Sequence, residues 1–492
     1  MADTDQLPIF HVVGFTGHRQ LGDQVRIERA LVEILTDLRR EPKVEWLALS
    51  SIAAGSDMLF ARTALRLGLG WEAVLPMAPA EFQRDFSDDE WRLVEGLLAD
   101  AEQVRVIGER PHRDDAYLDC GMETVNHCDL LLAVWDGEPA RGRGGTAEII
   151  AYAREMSRPL IIVDAQTFAV RRENFDRLKK GDRHLEFFNR LPAAPTDDAD
   201  PMPGRATVYA FQRKLDHIAT QHGPNFRRLT TITVCLHVLA TTLAAATVVF
   251  GLHVVALPWV KFLCLVSALT VAIVLRHHRD QHDWVRCRLG AEIARSALAT
   301  WGLPRSLRLF DDFDWAGLEP LRRSLDILQR RATRVEPANF DAFKQRYVNE
   351  RIDGQLAYFA RQEKRAVPLL ARLRAGFFYS TGLAIIFTFA YAMSASVPDF
   401  VPAQWMQEWL FDFFPIVLPV LAAAFISLAS INDLHRRVAR YHEMRIRLET
   451  ARREAVFVQT WGSLERVVAK AERALLQEVF EWHSITSFSE SH

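Results

Sequence analysis

The chain has 492 residues, with 60 Lys and Arg against 62 Asp and Glu, a net charge of −2. Near-neutrality leaves no electrostatic argument for nucleic acid as a partner, and the length implies two or three domains rather than one. The five cysteines are odd in number and form no C-x-x-C pair, so neither a disulfide framework nor a zinc site is supported and no metal is expected.

The N-terminus, Met1-Ala2-Asp3-Thr4-Asp5, is acidic and lacks a positive leading segment. No cleaved signal peptide is therefore expected, and the first half should stay in the cytoplasm. From residue 10 to 163, short hydrophobic runs alternate with helical patterns, which predicts a parallel α/β sheet. Strands are expected over 11–15, 45–49, 72–75, 104–107, 130–135 and 160–163, with helices that include 25–39 and 57–67.

In open parallel sheets, ligands bind beyond the carboxyl ends of the strands, and three clusters fall at such ends. The first is Gly14-Phe15-Thr16-Gly17-His18-Arg19, where glycines permit a tight turn and Arg19 can pair with a phosphate. The second runs from Ser50 and Ser51 through Gly55 to Asp57 and leads into a helix. Its small residues admit a ligand to the backbone, and Asp57 either caps the helix or hydrogen-bonds a ribose hydroxyl. The third is Arg141-Gly142-Arg143-Gly144-Gly145-Thr146-Ala147-Glu148, whose free N–H groups at a helix start form an anion site. Each turn alone can be structural punctuation; three on one sheet edge point to a nucleotide-derived, phosphate-bearing ligand.

Residues 191–207 are rich in Pro, Asp and Ala and read as a linker. Beyond it lie two hydrophobic pairs: Leu229 to Gly251 with Leu257 to Leu275, then Gly376 to Met393 with Phe414 to Ile431. As helices these reach roughly 27–35 Å, enough to cross a bilayer. Arg227, Arg228, residues 276–279, Arg372, Arg374, His435, Arg436 and Arg437 flank the pairs on one side, while Asp399, Glu408 and Asp412 occupy the last connection. That bias places both termini in the cytoplasm. Trp259, Trp405 and Trp409 suit the outer interface, Lys261 should snorkel outward, and His237 is an intramembrane candidate among Thr233, Thr241 and Thr242. Pro415 and Pro419 should kink the fourth span. Thr300-Trp301-Gly302 recurs 160 residues later as Thr460-Trp461-Gly462, which suggests two copies of one helical unit.

At these residues the chain resembles the SLOG superfamily, which joins the Smf/DNA-processing-A and Lonely Guy (LOG) proteins. Residues 48–65 resemble the strand–helix segment of the first branch, and Gly144-Gly145-Thr146 the phosphate loop of the second. The likeness covers about residues 8–170. LOG enzymes place their catalytic Glu three residues after the Thr, whereas Glu148 follows Thr146 by two and no proline opens the loop. That departure favours sensing over hydrolysis. The second half resembles SLATT domains, two-span modules found beside SLOG domains and messenger synthases in bacterial conflict systems. Glu350-Arg351-Ile352, Gln355, Tyr358, Glu472, Glu478 and Trp482 carry that likeness, and the first pair keeps the layout with little of the sequence.

The resemblance implies a Rossmann-like sensing domain (1–190), a linker (191–207) and two two-span units (208–335 and 336–492). It further implies a homo-oligomeric, pore-forming effector in the bacterial inner membrane, triggered by a cyclic oligonucleotide or ADP-ribose-type second messenger that an upstream enzyme makes. No cofactor is expected. The alternative is a membrane-tethered nucleotide N-glycosidase with Glu148 as the catalytic carboxylate.

Overall fold

A computed structural model of the chain describes residues 5–41, 43–108, 110, 112–140, 142–179, 181–195, 205–252, 254, 256–277, 280–305, 307, 317–335, 339–396 and 401–488, with backbone alone at 222–227, 275–277, 280–283 and 481–488. Arg141, Asp399 and the middle of the expected linker lie outside the described residues, as do the side chains of Arg227, Trp482 and the run 276–279.

The chain divides into two compact units. In the first, the elements run β1 (Ile9–Gly17), α1 (Gln24–Leu38), β2 (Val44–Ser50), α2 (Ser56–Arg66), β3 (Gly70–Leu75), α3 (Pro79–Phe82), α4 (Asp88–Asp100), β4 (Gln103–Val106), α5 (Arg113–His127), β5 (Leu130–Trp135), α6 (Thr146–Glu155), β6 (Leu160–Asp164), β7 (Val170–Glu173) and α7 (Arg183–Arg190). One sheet forms in the order β4-β3-β2-β1-β5-β6-β7, parallel except for β7. The central strands are apolar on both faces because both are covered. Phe10, Val12, Leu47 and Leu49 meet Cys120, Val125 and Ile149 of α5 and α6 on one side. On the other side Phe15 stacks on Phe60 of α2 at 4.4 Å. All six expected strands are present within one or two residues of their bounds. β7 escaped notice because Val-Arg-Arg-Glu is an exposed edge strand with no apolar period.

The second unit holds α8 (Ala206–Val249), α9 (Ala256–His277) and α10 (Asp280–Ala299). The chain then supplies α11 (Glu319–Val335) to the first unit. It returns with α12 (Phe340–Arg346), a π-helical stretch Tyr347–Asp353, α13 (Gly354–Ala395), a second π-helical stretch Met406–Phe413, α14 (Phe414–Ile431), α15 (Leu434–Phe457) and α16 (Trp461–Phe488). The chain breaks after 335 as expected, but α11 groups with the sheet unit and not with the expected helical unit 208–335. Ile327 enters the sheet core, Ser324 Oγ donates to Pro8 O at 2.6 Å, and Arg323 pairs with Asp129 at 2.5 Å. Nothing in the heptad-like surface of 319–335 distinguishes a helix that packs on a sheet from one that packs in a bundle.

Among the described residues four helices are long and apolar enough to cross a membrane, and only 11, 11, 11 and 22% of their apolar windows are buried within the chain. Residues such as Leu269, Phe378, Tyr379 and Phe389 face outward, so these helices need lipid or further protein around them. The first ends at Val249, two residues short of expectation, because Gly251 adopts φ +58° and turns the chain. Pro415 sits in the first turn of α14, where its missing N–H matters little. Pro419 lies inside α14 and Pro368, not singled out above, inside α13. The His237 ring is 2.9 Å from Thr233 O one turn back, and Lys261 Nζ reaches Thr247 Oγ1 at 3.4 Å near the end of α8.

Candidate functional site

Strand order reverses between β1 and β5, and the crevice beyond that point is where an open parallel sheet takes a ligand. The turn after β1 is clamped to the start of α2: Ser56 N–H and Oγ–H both donate to His18 O, at 3.1 and 2.9 Å. Gly17 is required there, since a Cβ would overlap Ser56 Oγ. Gly55, at φ +88°, is required for a second reason, because Arg19 O occupies the space of a side chain.

The turn after β2 is strained. Ile52 is buried at φ +53°, a conformation that a β-branched residue adopts rarely and at about 1–3 kcal/mol. Ser50 Oγ accepts its N–H at 3.2 Å. Beneath the turn lies Asp57, 2% exposed, which accepts from Ser51 Oγ at 2.8 Å and from the N–H groups of Ala53 and Gly17. Asp57 therefore joins the first and second turns from below. The N-cap position of α2 belongs to Gly55, not to Asp57.

Burial pushes the Asp57 carboxyl from 3.8 up to about 7, against the pull of Ser51, the two N–H groups and Arg19. Between those values the folded chain holds a proton that the unfolded chain releases. Stability thus falls as pH rises from about 4 to 7, and the cost, about 4 kcal/mol at most, is complete above 7. We expect the melting temperature of the sheet unit to drop between pH 5 and pH 8 in the wild type and to drop less in Asp57→Asn. Equal slopes in the two proteins would show that Asp57 does not titrate in this window.

Across the switch point, Asp136 N–H donates to His18 Nε2 at 3.1 Å, and Asp136 Oδ1 lies 2.9 Å from the same nitrogen. Burial raises the Asp136 carboxyl, but the Glu138 N–H and His18 outweigh it and hold it below its usual range.

The third turn leans on α5. Gly144, at φ +76°, packs against the Tyr117–Leu118 backbone, and its N–H donates to Glu148 Oε2 at 2.7 Å. Gly145 is the N-cap of α6 and offers no side chain to the N–H groups of Thr146 and Ala147. Arg143 pairs with Asp115 at 2.7 Å. Arg19 lies over the Tyr117 ring at 5.2 Å, and the Tyr117 hydroxyl donates to Asp85. The first two turns of α5 thus gather the first and third clusters at one place.

Most of the expected residues share this edge: Gly17, His18, Arg19, Ser50, Ser51 and Gly55 around α2, and Arg143, Gly144, Gly145, Thr146 and Glu148 around α6. Gly14 does not. It sits within β1, where a Cβ would come 2.8 Å from Cys128 Cβ, so it admits α5 to the sheet. Thr16 is half-buried beside Ala133 in the ladder. Sequence reasoning missed Asp136, which its position directly after an apolar strand could have revealed, and Tyr117, which no local signal marks. The arrangement offers two helix N-termini, one exposed guanidinium and an aromatic face, a set suited to a phosphate-bearing heterocycle. Among the described residues, no group of His, Cys, Asp and Glu could hold a metal ion.

No curated protein matches the chain. The likeness to two-span modules read above from residues 350–482 falls elsewhere in the comparison with families, on the first helical segment. Residues 210–301 match the family described as SMODS and SLOG-associating 2TM effector domain 3.

Proposed function

We propose that this protein is a membrane effector of a bacterial conflict system, in which a Rossmann-like, SLOG-type sheet unit senses a nucleotide-derived messenger and two helical hairpins open a pore. The observation that carries the reading is the match of 210–301 to a two-transmembrane effector domain, on a chain with four membrane-length apolar helices. The name of that family supports a SLOG-type partner domain, and the convergence of three phosphate-suited turns supports a nucleotide. Both termini lie in the cytoplasm of the inner membrane, with the basic flanks as the reason. Four helices per chain do not enclose a wide channel, so several copies assemble. Moving a closed pore from 1:99 to 99:1 takes about 5.5 kcal/mol of preferential binding, which several sites share.

Hydrolysis is the weaker reading. Glu148 holds the N–H of Gly144, and a carboxylate committed to its own loop stabilises the turn rather than polarising a ribose.

Dye leakage from liposomes carrying the purified protein tests the proposal, with cyclic oligonucleotides, linear dinucleotides and ADP-ribose added in turn. Gly145→Asp is the matched control. Gly145 has φ −70° and ψ 161°, as an N-cap should, and Asp is a favoured N-cap. A Cβ there comes 3.0 Å from Gly142 O and 3.2 Å from Ala140 Cβ, so the loop must give by a few tenths of an ångström; a melting curve matching the wild type checks that the variant folds, with its carboxylate occupying the N–H groups a phosphate would use. Leakage with one messenger, needing at least tenfold more of it in Gly145→Asp, is the expected result. Tight liposomes under every messenger would overturn the pore.

A further inference from the structure

Within the helical unit, a cavity of about 690 Å³ opens between α8, α10, α13, α15 and α16. That volume is in the range of small-molecule sites. Its wall carries three carboxylates, Asp216, Glu292 and Glu478, and the aromatic rings of Trp284, Tyr358 and Tyr441. Two arginines also line it, and both are already engaged. Arg295 is paired with Asp216 at 2.6 Å and with Glu292, and Arg288 has a partner of its own. Glu478, with a side chain only 10% exposed, has a longer contact to Arg440 at 3.4 Å. An anion entering here would face carboxylates whose arginines are taken. An ammonium would meet Glu478, the carboxylate of the wall with the longest ion-pair contact, beside the rings of Trp284 and Tyr358, the pairing by which proteins hold organic cations.

We propose that this cavity binds a soluble organic ammonium of the linear polyamine class. A phospholipid amine carries the same chemistry, but depth argues against it on the membrane reading above, on which this choice of source rests. Thr220, at the cavity, lies nine residues before Leu229, about 13 Å along the helix. Tyr441 lies seven residues into α15, which starts at Leu434 beyond the turn that ends α14, about 10 Å along that helix. A headgroup layer adds only about 5–8 Å beyond the hydrocarbon. Occupancy cross-links the helices that lead into the apolar segments and holds the bundle in its resting arrangement.

The test is calorimetric titration of spermidine into the full-length protein in detergent, with thermal melting alongside. We expect saturable binding that weakens at least tenfold in Glu478→Gln and in Tyr358→Leu, and that is unchanged in Glu443→Gln, an exposed site on α15. Both cavity variants should melt near the wild type without spermidine. Absence of saturable binding at millimolar spermidine, or equal binding in Glu478→Gln, would overturn the proposal. So would stabilisation seen in phosphatidylethanolamine nanodiscs, absent in phosphatidylcholine ones and lost in Glu478→Gln, since the amine would then be lipid. None of these readouts uses leakage or a nucleotide, so the proposal fails independently of the pore.

Discussion

Glu472→Ala should destabilise the helical unit by about 3–5 kcal/mol, the cost of stripping a buried charge of its partner. Glu472 is fully buried on α16 and takes two bonds from Arg351, at 2.8 and 2.7 Å, and one from the Tyr347 hydroxyl at 2.9 Å. Arg351, 5% exposed, also reaches Glu292 of α10 at 3.1 Å, and Glu292 meets Arg295, which pairs with Asp216 of α8. Burial opposes the charge on Arg351, but Glu472 and Glu292 hold it protonated beyond its usual range. Removing Glu472 leaves that guanidinium and the Tyr347 hydroxyl in an apolar core of Phe343, Leu448, Leu464 and Val468. Replacing the pair together, Arg351→Met with Glu472→Leu, should recover much of the loss, because the carboxylate then left behind, Glu292, keeps Arg295 as its partner. Thermal melting of the three proteins in one detergent measures the cycle. A Glu472→Ala variant that melts with the wild type would mean the pair is wet and the network incidental. The chain of bonds joins helices that lead into the first and third apolar segments, and Arg351 sits on a π-helical turn, a feature frequent at functional sites. On the proposed function, Glu472→Ala should therefore also raise leakage without messenger.

The sheet strands were legible because each is a short apolar run between turn residues, and the four membrane-length helices because each is a long apolar run almost free of charge. The clusters at the sheet edge were legible as glycine-rich turns, but their division of labour was not. Gly14 and Gly17 stand three residues apart, yet one admits Cys128 at the end of α5 and the other Ser56 of α2, a difference set by partners far along the chain. Asp57 looked like a cap because it opens a helix; only the fold brings Ser51 and Gly17 over it. The Thr-Trp-Gly motif follows the end of α10 at Trp301, whereas Trp461 opens α16, four residues after α15 ends. The likeness to two-span modules was placed on the second copy and found on the first, as expected where related units keep a layout and change its residues. No local pattern marks the arginines of 319–335: Arg323, Arg330, Arg331 and Arg334 reach acceptors on β1, β2 and β3, at Glu102 and Asp129, and at the end of α4, 194 to 313 residues away.

Those arginines supply the second large effect. In Glu72→Ala, α11 should come off the sheet, with loss of about 3–5 kcal/mol. Glu72, 5% exposed in β3, accepts from Arg330 at 2.8 Å and from Arg105 at 3.2 Å. Burial raises its carboxyl, but Arg330 and Arg105 win and hold it below the ordinary value. Its contribution is therefore full above about pH 4.5 and disappears as pH falls through the lowered value. Without Glu72 the two guanidiniums face each other in a buried site. The remaining anchors are Arg323 on Asp129, Ser324 on Pro8 O and Ile327 in the sheet core towards the start of the helix, with Arg331 on Glu45 and Glu102, at 2.6 and 2.9 Å, and Arg334 on the last carbonyls of α4 towards its end. The Arg331 and Arg334 contacts are more exposed and individually weaker, so the loosening is greatest over the last turns of α11. Hydrogen exchange should show residues 319–335 losing protection at neutral pH in Glu72→Ala while the central strands keep theirs. Glu72→Leu with Arg330→Met should restore protection, since the pair is then replaced by apolar packing. Unchanged exchange in α11 would sink the assignment of this helix to the sheet unit. The consequence for function follows from connectivity: α11 belongs to the sheet unit but stands in the chain between α10 and α12 of the helical unit. If messenger binding reaches the pore through α11, Glu72→Ala should bind messenger within about threefold of the wild type and leak at least tenfold less. Loss of binding and leakage together would instead place the coupling at the sheet edge itself.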